Sequence, residues 1–484
     1  MKKNYSGIEI AAVSVAAIIL AYLLFVRPVV GVADNGDFSR IMGSSGLTYL
    51  TDNYNDKYFN YLTREYGIEQ TGLFDGGYFS TEIVLVRAAR IINNLLLPKT
   101  GTFDIRFLAL VYSMIFLISI FLILKYIDYG SRLWAFVTAA AAIMIFTDIG
   151  YLSYFNSLYG EAVSYISLLL MIGCIFYICS RSRPSVYSLL FLIISAVFLT
   201  GAKTQNAPIG IVLIIFFISL YRLRKDTPWK SMIALGCTLI LLTSYAAYAS
   251  VPNEIKVCNK YQTVFYGILK GSKTPADDLK KLGIKQDLSV LAGTNYFMKE
   301  YPIDIKSPYV QKEISEKVNP LKVAMYYVKN PGRFIEKLDI AAQNGFRLVQ
   351  GFGNYEKTNS DGVRKTVSSF NVWSSFKENV LPHSLIFIAA LYVLFFSVLF
   401  VKHKRARYAS QKIRIETFML VGIIGAMQFV IPIIGDGEAD LSKHLFLFNV
   451  CFDIMFLYTG VFVLKTFALL LAKIIKPLQL KAAR

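Results

Sequence analysis

Apolar residues in this chain come in long unbroken blocks, and polar residues gather in the gaps. Ten blocks stand out, at about 8–28, 106–124, 133–147, 161–179, 185–200, 208–221, 231–249, 384–401, 415–433 and 445–466. A helix needs about 20 apolar residues to cross a bilayer, and these runs lack the period-two alternation of strands. In lipid the backbone must satisfy its own polar groups, which leaves helices as the reading of such runs. The pattern predicts an all-α polytopic membrane protein with about ten transmembrane helices, although 133–147 and 208–221 are short for a full crossing. Two long segments do not span, at about 31–105 and 250–383. They divide the chain into a membrane part at 1–249 with about seven helices, a small and mainly helical subdomain at 250–383, and a C-terminal part at 384–484. That last part holds about three helices and a basic tail.

Within the first long loop, Tyr78 to Leu97 places Ile83, Val84, Val86, Ile91, Leu95 and Leu96 around Glu82, Arg87 and Arg90. This suits an amphipathic helix lying along the membrane surface, with the glycine-rich stretch Gly72 to Gly77 as the turn before it. In the second segment, Thr274-Pro275 and Asn330-Pro331 read as helix starts, because proline is tolerated in a first turn. No internal repeat or inverted symmetry is visible, which counts against a transporter.

Composition agrees with the pattern: 484 residues are 55% hydrophobic and 14% aromatic, with mean hydropathy +0.49. Bases fall on one side of the alternating blocks. Lys2, Lys3, Lys125, Arg132, Arg181, Arg183, Arg222, Arg224, Lys225 and Lys230 lie there, followed by Lys402, Lys404, Arg405, Arg407, Lys412, Arg414, Lys473, Lys476, Lys481 and Arg484. The short loops on the other side hold Lys203 and Lys443 among the acids Asp148, Asp436, Glu438 and Asp440. The positive-inside rule then predicts a multi-pass plasma-membrane protein with both termini cytoplasmic. The net charge of +19 is mainly this topological signal and does not call for a nucleic-acid partner. The first block is long for a signal peptide and Arg27-Pro28 follows it, so an uncleaved helix is expected. The cysteines Cys174, Cys179, Cys237, Cys258 and Cys451 have no metal-ligand spacing, so neither a zinc site nor a disulfide framework is expected.

Four polar clusters fall on the side away from most of the bases. Asp34-Asn35-Gly36-Asp37 with Arg40 follows the first helix, and its two acids converge whether the segment is helical or a turn. One acid can act as general base and the other can orient the nucleophile or hold a cation. Alternatively, Asp37 simply caps a helix over Phe38 to Met42. The second cluster runs from Phe155 to Glu161. There Asn156 and Ser157 can bond sugar hydroxyls, while Glu161 alternatively serves only the dipole of the helix it opens. In the third, Lys203-Thr204-Gln205-Asn206, the lysine departs from the charge rule and asks for a lipid phosphate or a nearby acid. The fourth is the densest, with Asp436, Glu438, Asp440, Lys443 and His444. Its Lys-His pair can bind phosphate and its acids can grip a sugar, or the loop is solvated and salt-bridged internally. No metal site is expected; no cofactor is assigned, and a divalent cation is left open. The aromatics Tyr151, Tyr154, Phe155 and Tyr159 read as an interfacial belt.

The strings Asp34-Asn35-Gly36-Asp37-Phe38, Asn156 to Glu161 and Gly435 to Phe446 occur in order along nearly the whole chain. With an acidic first loop and about ten helices, the chain resembles the GT-C class of integral-membrane glycosyltransferases. More narrowly, it resembles the bacterial cell-surface glycan hexose transferases of the WsfD type. The resemblance implies an inverting transfer of a hexose from a polyprenyl-phosphate donor to a surface polysaccharide, cell-wall glycan or glycolipid on the extracytoplasmic face. It also implies that an acid of the first loop is the base, here Asp34 or Asp37, and that Lys203, Lys443, His444 or Arg40 hold the donor phosphate. Asn156, Glu161, Gln205, Asp436, Glu438 and Asp440 are the remaining candidates for substrate contact. The class usually pairs its acids more closely, and the spacing of three here leaves the identity of the base open. A flippase for a lipid-linked saccharide would need charge deep in the helices, where this chain has little. A glycan ligase or polymerase would use similar bases and is separated only by donor chemistry.

Overall fold

The computed structural model describes residues 7–72, 75–98, 101–357 and 366–482, with side chains through Lys473. Leu73 and Phe74 of the expected turn, Lys2, Lys3 and Arg484, and the side chains of Lys476 and Lys481 lie outside that description. Each of the ten apolar blocks is helical. Seven helices among the described residues are long and apolar enough to cross a membrane: Ile8–Phe25, Arg106–Tyr126, Gly160–Ile178, Thr227–Ala249, Leu385–Arg405, Ala409–Asp436 and Phe446–Lys473. An eighth crossing is formed if Arg132–Phe146 and Ile149–Asn156 are one span broken by a 50° bend, and Val186–Gly201 and Ile209–Arg222 are shorter apolar helices. The protein is an all-α polytopic membrane protein.

The bundle is built around Gly160–Ile178, which is buried along almost its whole length between Arg106–Tyr126 and Val186–Gly201. The first helix shows how sequence sets its place. Ala12, Ala16, Leu20 and Leu24 recur every fourth residue and are buried, while Ile10, Ile18 and Tyr22 are exposed where lipid would lie. Its small residues let it pack closely on Arg106–Tyr126 and Arg132–Phe146.

The first long loop holds the expected amphipathic helix at Glu82–Leu96. Ile83, Val86 and Ala89 face the protein, and Val84, Ile91, Leu95 and Leu96 are exposed. Ser80 Oγ and Thr81 Oγ1 donate to the carbonyls of Ala202 and Phe198 and pin its start to the bundle. The loop also contains a small antiparallel sheet that hydrophobic patterning did not predict: β1 (Leu47–Thr48), β2 (Glu65–Ile68) and β3 (Thr102–Asp104), in that order. Tyr66 sits opposite Phe103 in the β2–β3 register, and both rings are buried. Strands of two to four residues are too short to show a period.

In the second segment, Pro275–Leu282 and Pro331–Asn344 begin at the two expected prolines. Asn253–Tyr261, Pro308–Lys317 and Pro320–Lys329 accompany them. Their buried faces share one apolar core with Phe429, Ile433, Phe448 and Phe452 of the last two long helices.

A buried polar knot fixes the Val372–Asn379 helix to the bundle. Lys377 Nζ donates to Asp453 Oδ1 at 2.7 Å and Asn449 Oδ1 at 2.6 Å, and Asp453 Oδ2 accepts from Tyr151 Oη at 2.5 Å and Trp373 Nε1 at 2.7 Å. At the bend, Asp148 accepts from the backbone N–H groups of Gly150, Trp373 and Ser374. Lys377 and Asp453 are both wholly buried.

Candidate functional site

The first acidic motif is shaped by close backbone packing. After Phe25 the chain runs extended, and Asn156 Nδ2 donates to the carbonyls of Leu24 and Val30. A Cβ at Gly31 would lie 2.5 Å from the Asn156 carbonyl oxygen, so only glycine fits that approach. The chain then turns at Gly36, whose φ of 105° favours glycine. Asp34 closes that turn, with Oδ1 accepting from the N–H groups of Gly36 at 2.7 Å and Phe38 at 3.1 Å, and Oδ2 from Tyr49 Oη at 2.6 Å. Asp34 is buried, and burial pushes its carboxyl above the usual range despite those bonds. The helix Ser39–Ser45 is therefore approached through Asp34, not Asp37.

Asp37 has the opposite surroundings. Oδ1 meets Arg40 Nη2 at 2.8 Å, Oδ2 meets Lys443 Nζ, and the side chain is 25% exposed. Burial opposes its charge most, but Lys443 and Arg40 outweigh burial and hold the carboxyl below the usual range. Lys443 itself is buried over the ring of Tyr159, 5.2 Å from its centroid. Tyr159 Oη donates to the Ala33 carbonyl and accepts from the Asn35 N–H, tying this loop to the first. Asn35 Nδ2 reaches Asp440 at 3.4 Å, and Asp440, half exposed, stands 4.0 Å from Lys443. Segments some 400 residues apart in sequence thus meet through one shared carboxylate.

Beside this group, His444 Nδ1 faces Gln205 Oε1 and Nε2 faces Asp436 Oδ2, both at 3.1 Å. Both partners are acceptors, so both contacts are hydrogen bonds only if His444 and Asp436 together hold one proton beyond a neutral ring and a carboxylate. Burial first, and then the charges of Lys203 and Lys443, push the imidazole well below its ordinary pKa. Asp436 Oδ1 is buried and has no hydrogen-bond partner. Gln205 also bonds Gln428 and the His444 carbonyl. Lys203 Nζ pairs with Glu161 Oε1 at 2.5 Å. Lys203, Glu161, Gln205, Lys443 and His444 line a cavity of about 10 Å³, room for about one water.

Two predicted residues take other positions. Glu438 is held between Lys270 at 2.8 Å and Lys337 at 2.5 Å, joining the second long segment to the membrane helices. Asn156 is fully buried beneath the first loop and spends its amide on backbone carbonyls.

A profile for the family described as YfdI N-terminal transmembrane domain matches residues 1–477. The chain belongs to that family. In this YfdI-family chain, a membrane-spanning fold is thus supported by both sequence profile and structure. No curated protein matches. Among solved structures, the chain is similar to the archaeal oligosaccharyltransferase AglB from Archaeoglobus fulgidus, determined with an inhibitory peptide and a dolichol-phosphate. That similarity has a TM-score of 0.40 and 11% identity, covering 97% of this chain and 51% of AglB. The chain therefore spans about half the length of AglB, and the likeness is too loose to bear on its chemistry.

Sequence reasoning missed several residues in and around this cluster. Tyr159, which the sequence pattern places in an aromatic belt, is buried under Lys443. Tyr49 and Gln428 carried no local signal, because their partners are distant in sequence. Glu82, wholly buried, accepts from Tyr112 Oη at 3.2 Å through Oε1, while Oε2 has no partner. Burial, followed by repulsion from Glu161, raises its pKa well above the usual range. The one available signal was an acid on the apolar side of an amphipathic helix.

Proposed function

We propose that this protein is a membrane glycosyltransferase of the GT-C type, moving a hexose from a polyprenyl-phosphate donor to a surface glycan or glycolipid on the extracytoplasmic face. The observation that carries this reading is Asp37, an ionised and partly exposed carboxylate held by two cations, Arg40 and Lys443. A donor anchored in lipid brings its phosphate to the membrane surface, where it competes with Asp37 for those cations. Once the phosphate takes them, the Asp37 carboxylate loses the charges that depress its pKa and becomes a stronger base. It can then accept the proton of an acceptor hydroxyl attacking the sugar carbon, while Arg40 and Lys443 neutralise the departing phosphate. Charge develops where groups of opposite sign already stand.

Asp34 is the positioning residue in this scheme, since its oxygens are committed to the turn that presents Asp37. Lys203 and the His444–Asp436 pair form the inner wall of this site. Sidedness follows the distribution of bases, with this cluster outside and both termini in the cytoplasm.

The test is sugar transfer by purified wild type and Asp37→Asn, given a polyprenyl-phosphate hexose and a membrane glycan acceptor. Loss of turnover with donor binding retained supports the reading. Unchanged turnover removes Asp37 as base. If neither protein transfers sugar but both move the lipid-linked sugar across a vesicle membrane, the enzyme reading gives way to a transporter.

A further inference from the structure

A second site lies at the opposite end of the bundle. The 28-residue helix Ala409–Asp436 is about 42 Å long at 1.5 Å per residue, with Asp436 at one end and Arg414 in its second turn. Around Arg414 opens a cavity of about 500 Å³, far larger than the one beside His444. Its mouth carries four bases, Lys402, Arg405, Arg414 and Lys465, and one acid, Asp128. Its remaining lining is mostly apolar and runs along the last helix from Lys465 to Ile454, roughly 16 Å at the same rise. That is about half the thickness of a bilayer core, the depth of one leaflet.

The four bases outnumber Asp128, the acid that shares the cavity and attracts Lys402, Arg414 and Lys465. Among the described residues, none of them is in an ion pair. Arg414 donates to the carbonyls of Tyr126 and Phe176, Lys465 to that of Tyr129, and Lys402 to Tyr458 Oη. These contacts orient the cations without cancelling their charge. Lys402, Arg414 and Lys465 are each partly buried, and Lys402 and Lys465 are close enough to repel each other in a poorly screened setting. The positive-inside rule explains bases at this face, but it does not explain unpaired, partly buried bases gathered over a leaflet-deep apolar slot.

We infer that this cavity binds an anionic phospholipid of the leaflet opposite the Asp37 cluster, with its phosphate among Lys402, Arg405, Arg414 and Lys465 and an acyl chain in the slot. The charge selects the headgroup, and the apolar depth selects a chain over a soluble phosphate. This inference does not depend on the glycosyltransferase reading.

The experiment is native mass spectrometry of the full chain in micelles doped with phosphatidylglycerol or with phosphatidylcholine of the same chains. Wild type should retain phosphatidylglycerol preferentially. A base near an anionic headgroup contributes about fivefold, so Lys402→Gln with Lys465→Gln should lose roughly 30-fold in retention. Arg405→Gln, an exposed position, should lose about fivefold and guards against a double variant that fails to fold. Thr138→Phe, which fills the slot with every base in place, should also release the lipid while thermal stability is retained. Equal retention of the two lipids by wild type, or an unchanged preference in both charge variants, would overturn the site. Release of the lipid by millimolar inorganic phosphate alone would overturn the role of the chain.

Discussion

Two Asp–Lys pairs join distant parts of this molecule, and they are built for different ends. Lys377–Asp453 is sealed: both side chains are wholly buried, and the pair is surrounded by Asn449, Tyr151 and Trp373, each donating or accepting at 2.7 Å or less. Asp37–Lys443 is open on one side. Asp37 is a quarter exposed and shared with Arg40, and nearby Asp436 leaves a buried oxygen unpartnered. A pair enclosed by buried partners holds architecture, whereas a pair at the water's edge with a competing cation can change partners when an anion arrives. Burial alone would have ranked the sealed pair first as a site.

The largest expected effect sharpens that contrast in rate. Asp37→Asn should reduce sugar transfer by about 10²–10⁴-fold, the usual contribution of a general base. Its thermal stability should fall modestly, because the amide oxygen can still accept from one of the two cations but no longer offsets the charge of buried Lys443. Steady-state transfer assays and a melting curve of the same preparation check both halves.

Lys377→Met should behave the other way. It leaves Asp453 charged and unpaired in the interior, at a cost of about 3–5 kcal/mol in stability. The measurement is thermal or denaturant unfolding in detergent. Replacing both partners, as in Lys377→Met with Asp453→Leu, should recover part of the loss. A double variant as unstable as the single one would mean that the knot acts through shape and not charge.

Asp34→Asn comes next and tests the division between the two acids. An amide oxygen can keep some of the three hydrogen bonds, but not all with the strength of a carboxylate, so about 1–3 kcal/mol of stability should be lost. Transfer should fall less than in Asp37→Asn. If Asp34→Asn abolishes turnover in a folded protein while Asp37→Asn does not, the roles are reversed.

These positions also show how much was legible beforehand. The ten apolar blocks became helices because length and hydropathy leave little choice in a bilayer. The proline-marked starts at Pro275 and Pro331 were equally readable, since that cue is local. The polar strings drew attention to Asp37, Lys203, Lys443 and His444, which the fold gathers on one side. They could not separate Asp34 from Asp37, because the difference lies in Tyr49 and Lys443, 15 and 406 positions away from their partners. Asn156 sat in an equally promising string yet supports the backbone of the first loop. Lys377 had no local signal in a mixed-charge segment. Periodicity reports which face a residue shares, and only tertiary contact reports what it touches.

The smallest predicted effect is in pH dependence, and it separates Asp37 from an acid whose pKa is raised by burial, as Asp34's is. Its native pKa is depressed by Lys443 and Arg40, which outweigh the opposing effect of burial. A carboxyl of this kind contributes stability that is fully present above the unfolded value of about 3.9 and is lost only as pH falls through the lower native value. The stability difference between wild type and Asp37→Asn should therefore stay flat from pH 7 down to about 5. It should decline only at lower pH, as the unfolded carboxyl takes up its proton. If the difference already collapses between pH 7 and 5, the native carboxyl titrates there, and Lys443 and Arg40 do not hold it ionised.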